Sequence, residues 1–102
     1  MVPNDVGSNQ LAQADQALAQ RLHPALPYVA AEVVWAVRHE MARSLEDVLA
    51  RRMRALFLNA RAALDMAPRV AALMARELGR DERWQAAQLD RFRSVASGYL
   101  VA

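Results

Sequence analysis

Apolar residues return every three or four positions along most of this chain and nowhere alternate convincingly, a pattern that belongs to helices packed through one face. Leu45, Val48, Leu49, Met53 and Leu56 make one such stripe, and Val70, Leu73, Met74 and Leu78 make a second. Trp84, Leu89, Phe92, Val95, Ala96 and Tyr99 make a third. Composition reinforces the pattern. Alanine is the commonest residue and all 13 basic residues are arginine, and both types stand near the top of the helix-propensity order. With 55% hydrophobic and 24% charged residues the composition is that of a globular chain. Its 102 residues suffice for one core, which buries roughly 60% of the unfolded surface, and are too few for two.

Turn chemistry divides the pattern into elements. A first amphipathic helix is expected from about 9 to 22, starting after Gly7 and Ser8 and carrying Leu11, Asp15, Leu18 and Leu22 at helical spacing. Pro24 and Pro27 end it, because each disfavours helix in the residue before it. A second helix is expected from Tyr28 to Met41. Ser44, followed three residues on by Asp47, resembles a capping box and starts a third at Leu45. That helix either continues to about Met66 or breaks between Met53 and Leu58. Pro68 suits the first turn of a fourth helix, Gly79 its C-terminal stop and Asp81 the cap of a fifth. The expected fold is all-α, a compact bundle of about five helices ending in a helical hairpin. Residues 1–10 read as a flexible segment or truncated linker without the features of a signal peptide, and 11–102 as a single helical domain. The longest nearly apolar run, Leu26 to Val37, is interrupted by Glu32 and too short to span a bilayer.

Two charges intrude on apolar faces. On the second helix Val29, Val33, Val34, Val37 and Met41 share a face, and Glu40 projects between Val29 and Val33. On the third, Arg52 lies in the middle of the stripe, with Asp47, Arg51 and Arg54 opposite. An unpaired buried charge costs several kcal/mol, so Glu40 and Arg52 are expected to meet. Asp47 and Arg51, four apart, are expected to form an exposed pair. Tyr28, Glu32, Trp35 and His39 make a second stripe on the far side of the second helix. Together with Arg54, and with Arg51 nearby, they are the candidate surface for a partner absent from this chain.

Recognised chemistry is scarce. Without cysteine, disulfides, iron–sulfur clusters and thiolate zinc sites are excluded. Three glycines, Gly7, Gly79 and Gly98, make neither a dinucleotide fingerprint nor a P-loop. Glu32, His39 and Glu40 do not match the Glu-x-x-His spacing of helical carboxylate metal sites, so no metal ligand is assigned. His39 has only Ser44 as a nearby hydroxyl, and Ser44 is needed as a cap. Basic residues number 13 against 11 acidic ones interspersed with them, for a net charge of +2. The pI near 9.9 reflects arginine, which does not titrate. A small nucleic-acid-binding or regulatory module remains the alternative, through "RRMR" or a helix-turn-helix around "ELGRDERW", though the second helix of that hairpin carries core residues. A lipid-surface bundle would need a uniformly basic amphipathic face, and the mixed charges argue against it.

One further feature is a resemblance. Ala31-Glu32-Val33, Val37-Arg38-His39-Glu40, Glu46-Asp47-Val48-Leu49 and Arg51-Arg52, in that order and spacing, resemble the C-terminal helical domain of FAD-dependent glycerol-3-phosphate dehydrogenases and the related alpha-glycerophosphate oxidases. The likeness runs from about Leu26 to Leu100. Met53 stands where a threonine is expected. The resemblance implies a parent flavoprotein that oxidises glycerol 3-phosphate to dihydroxyacetone phosphate and passes electrons to quinone or oxygen. Such a parent is peripheral on the cytoplasmic face of the inner membrane. The flavin and the substrate belong to the parent's large N-terminal region, the implied partner of this domain, so no catalytic, FAD-binding or metal-binding residue is carried onto this chain. The implied role is structural, without nucleic acid, and homo-oligomerisation is left open.

Overall fold

Two prolines three residues apart shape the start of the described chain, which covers residues 16–100 in this computed structural model. His23 and Leu26 precede Pro24 and Pro27, are pushed out of the helical region, and pair. Strand β1, Arg21–His23, runs antiparallel to β2, Leu26–Val29, with Arg21 opposite Val29, His23 opposite Leu26 and an irregularity between. The Ala25 N–H donates to His23 Nδ1 at 3.0 Å across the turn, while Leu22 and Leu26 are buried. The expected helix from 9 to 22 is corrected accordingly. Residues 9–15 lie outside the described residues, 16–19 form a single 3-10 turn, Gln16–Ala19, and 21–23 are strand. The prolines therefore do not end a helix: Pro24 lies in the turn of the ribbon and Pro27 in β2, and the extended residues before them pair with each other.

The second helix also starts later than expected, because Tyr28 and Val29 belong to β2. Helix α1, Ala30–His39, buries Ala30, Ala31, Val33, Val34, Ala36 and Val37 and is therefore enclosed on most sides. Glu32 reaches back so that its carboxylate accepts the Val29 N–H at 2.9 Å. The helix stops at Glu40, and Met41 turns left-handed at φ 63. Met41 is largely exposed, so it leaves the valine face on which it was expected.

Ser44 and Asp47 form the reciprocal cap: the Asp47 N–H donates to Ser44 Oγ and the Ser44 N–H to the Asp47 carboxylate, both at 3.1 Å. A π-helical turn follows, Asp47–Arg52, closed by the Met53 N–H on the Val48 carbonyl at 2.8 Å. Arg54 then takes φ 58, α2 spans Ala55–Leu58, and Asn59 caps α3, Ala60–Leu78, by accepting the Ala62 N–H at 3.0 Å. Of the two courses open to the third helix, the chain takes the break, and breaks again at Asn59. Leu45, Val48, Leu49, Met53 and Leu56 are nevertheless all buried.

Pro68 lies inside α3 and not in its first turn. It faces solvent, where water can reach the carbonyl it deprives of a donor. Gly79 closes α3 at φ 68 and Asp81 caps α4, Glu82–Ser97, by accepting the Trp84 N–H at 3.0 Å. The two helices pack as the expected hairpin, and α3 also packs on α1. Buried alanines at 62, 63, 67, 71 and 75 allow close approach, and Phe92 from α4 is fully buried. Gln88 accepts the buried Leu45 N–H at 3.0 Å, tying α4 to the start of the π-helical segment. Tyr99, expected on the core face of the last helix, lies beyond its end and is exposed. The fold is a predominantly helical bundle with one small β ribbon whose Leu22 and Leu26 join its core.

Candidate interdomain surface

The end of α1 and the π-helical turn bring the two intruding charges together. Arg52 Nε lies 2.6 Å from Glu40 Oε1, with the Arg52 side chain 9% exposed and that of Glu40 30%. The contact is a close charge pair in which the enclosed Nε and Nη2 of Arg52 make no aligned hydrogen bond. Asp47 lies beside this pair and is fully engaged. Its Oδ2 accepts the Arg43 N–H at 2.9 Å as well as the Ser44 N–H, and its Oδ1 takes Arg51 Nη1 at 3.1 Å.

Glu40, Met41, Asp47, Arg51 and Arg52 line an open pocket of about 420 Å³. Its two carboxylates and two guanidinium groups balance, so it offers no net field to an ionic ligand. It also holds no nucleophile and no base free of a partner.

Of the candidate surface set, the structure gathers Tyr28 with Arg54 around the break in the chain. The Tyr28 hydroxyl donates a short hydrogen bond to the Met53 carbonyl. Burial pushes the Tyr28 phenol above its usual range and the Glu32 carboxylate adds to the rise, while Arg52 and Arg54 oppose it. Glu32 itself is buried and serves the start of α1, so it leaves the surface set. Helical spacing alone puts Glu32 on the far side of the helix from the valines, whereas its carboxylate turns back to the Val29 N–H of β2. Trp35 and His39, one turn apart on α1, stack with ring centroids 4.0 Å apart, and His39 is exposed.

Other residues enter only with the structure. Arg38 on α1 grips Glu77 on α3 through Nε at 2.6 Å and Nη2 at 3.3 Å, and these hydrogen bonds raise the Arg38 pKa further. His23 Nε2 lies 3.2 Å from Asp65 Oδ2. Such pairs, some forty residues apart, carry no local signal. Among the described residues no group of three or more His, Asp or Glu side chains could hold a metal ion. No helix among them is long and apolar enough to cross a membrane.

The geometry defines a small helical domain whose clustered charges largely answer one another. The chain belongs to the family described as the C-terminal domain of alpha-glycerophosphate oxidase, which residues 4–85 match. It is similar to the probable mitochondrial glycerol-3-phosphate dehydrogenase of Caenorhabditis elegans, with 49% identity over 77 residues that cover 76% of this chain and 10% of that protein. The human mitochondrial glycerol-3-phosphate dehydrogenase is 40% identical over 73 residues, covering 72% of this chain and 10% of its own length. That of Schizosaccharomyces pombe is 35% identical over 74 residues, covering 72% and 11%. The chain thus spans about a tenth of the length of the curated relatives it matches. No solved structure matches it.

The described glycines, Gly79 and Gly98, are both helix C-caps, and neither opens the phosphate-cradling loop that a dinucleotide requires.

Proposed function

We propose that this chain serves as the non-catalytic C-terminal helical domain of an FAD-dependent dehydrogenase that oxidises glycerol 3-phosphate to dihydroxyacetone phosphate and delivers the electrons to quinone. Its role is structural. It packs on the N-terminal FAD-binding region through the side bearing Tyr28, Trp35, His39 and Arg54, with Arg51 nearby, while Glu40–Arg52 and Asp47–Arg51 act as structural ion pairs. The parent sits peripherally on the cytoplasmic face of the inner membrane, and this domain lies in the cytoplasm. No nucleic acid is involved.

The observation that carries the reading is the family match over residues 4–85, which spans the π-helical turn and its charge pairs. The chemistry of the site agrees with it, since the clustered side chains are committed to caps and ion pairs.

The test is complementation. A glycerol-3-phosphate dehydrogenase lacking its matching segment is expected to regain activity when this chain is supplied in its place, while the purified chain mixed with FAD stays colourless. A yellow chain with stoichiometric flavin, or a steep salt-dependent affinity for duplex DNA, would count against it.

A further inference from the structure

Apart from Met41, the exposed large apolar side chains among the described residues come from two places: Phe57 and Leu58 in α2, and Tyr99 and Leu100 just past α4. Far apart in sequence, the Phe57 and Tyr99 rings meet edge to face, with centroids 5.2 Å apart and planes at 85°. The Arg54 guanidinium lies 5.7 Å from the Phe57 ring centroid. The break at Arg54 precedes the turn that presents Phe57 outward, and a side chain other than glycine rarely adopts its φ of 58. Tyr28 holds that break through the Met53 carbonyl. Contacts therefore run without interruption from Tyr28 through Met53 and Arg54 to Phe57 and Tyr99.

We propose that Phe57 and Tyr99, flanked by Leu58 and Leu100 and edged by Arg54, anchor the domain on the catalytic region of its own polypeptide, a proposal that rests on the reading just given. The occupant follows from size. Phe57 is 51% exposed, Leu58 65%, Tyr99 46% and Leu100 37%, together about two whole side chains, or roughly 400 Å² at the area an aromatic residue carries. A stable interface between free partners takes about 800 Å² per side, about twice this patch, so a second copy is not held by it. A partner in the same chain presents itself at an effective concentration in the millimolar range, and a smaller anchor then suffices. The Arg54 side chain makes no hydrogen bond among the described residues, and its contact with Phe57 leaves donors for a carboxylate at the rim of the receiving cleft.

The matched segment of the Caenorhabditis elegans dehydrogenase is replaced by this chain, and Phe57→Ser with Tyr99→Ser is placed both in that chimera and in the free 102-residue chain. The free chain is expected to sediment as a monomer, and the double variant to leave its melting temperature within about 3 °C. In the chimera the double variant is expected to speed proteolysis at the junction about tenfold, as a docked segment becomes a separately opening one. An active chimera whose junction is no more labile with the double variant overturns the anchor alone. A chimera inactive with unaltered residues overturns the reading beneath it. The anchor also falls if the free chain dimerises through Phe57, if it binds phosphatidylserine vesicles through these residues, or if the double variant unfolds it.

Discussion

Arg52 brings a guanidinium into the interior with the Glu40 carboxylate in close contact, and that burial governs what substitution does. Glu40→Gln leaves the buried guanidinium without its closest charge and is expected to cost about 2 kcal/mol, whereas Arg52→Met removes the charge, keeps the volume and should cost less. Urea denaturation of both single variants and the double variant decides, and equal single costs would mean that packing and not charge holds the position. Arg51→Ala, on the exposed member of the Asp47 pair, should stay within about 0.5 kcal/mol of the parent chain. Tyr28 carries a pH signature. Its phenol is raised in the folded chain, so the folded state keeps that proton longer than the unfolded one and stability falls as pH rises beyond tyrosine's usual value near 10. Tyr28→Phe should remove its share of that alkaline loss and, at neutral pH, cost about 1 kcal/mol for the hydrogen bond to Met53. Thermal melts at pH 7 and above 10 check both halves.

At the scale of elements, Gly79 offers the cleanest test. A Cβ built there meets nothing within 4 Å, so Gly79→Ala should cost about 1 kcal/mol from the left-handed backbone alone. Pro68→Ala, on the solvent side of α3, should restore an interior hydrogen bond and raise stability by about 1–2 kcal/mol; calorimetry reads both. Which elements were legible follows the range of the forces that set them. Ser44 with Asp47, Gly79 and Asp81 act within four residues, and each is found capping or ending a helix as its type demands. The stripe from Leu45 to Leu56 predicted burial correctly across a backbone that is only partly α-helical, because burial depends on total apolar face more than on a perfect ladder. The β ribbon was not legible: prolines announce extended residues, but pairing them is a tertiary event. Neither was the break at Arg54, which a tyrosine 26 positions earlier helps to hold, nor the meeting of Phe57 and Tyr99 at opposite ends of two helices.

For the whole molecule the expectation is a domain that folds without a cofactor. If this chain carries no flavin site, as the proposed role requires, excess FAD should leave its melting temperature unmoved, as mass action requires for a ligand that does not bind the folded state. A rise that scales with flavin concentration would contradict this. The π-helical turn carries a consequence of another kind, about chain length. Such a turn holds one residue more than the α turn it replaces, while its two ends still lie along one axis. Losing one outward residue there, such as Arg51, would let the turn close into an ordinary α turn with its flanks in place. The same loss in the middle of α3 would rotate everything beyond it by about 100° and bring the wrong face to the core. A deletion of a single residue should therefore be absorbed in this bundle at Asp47–Arg52 and resisted along α3 and α4.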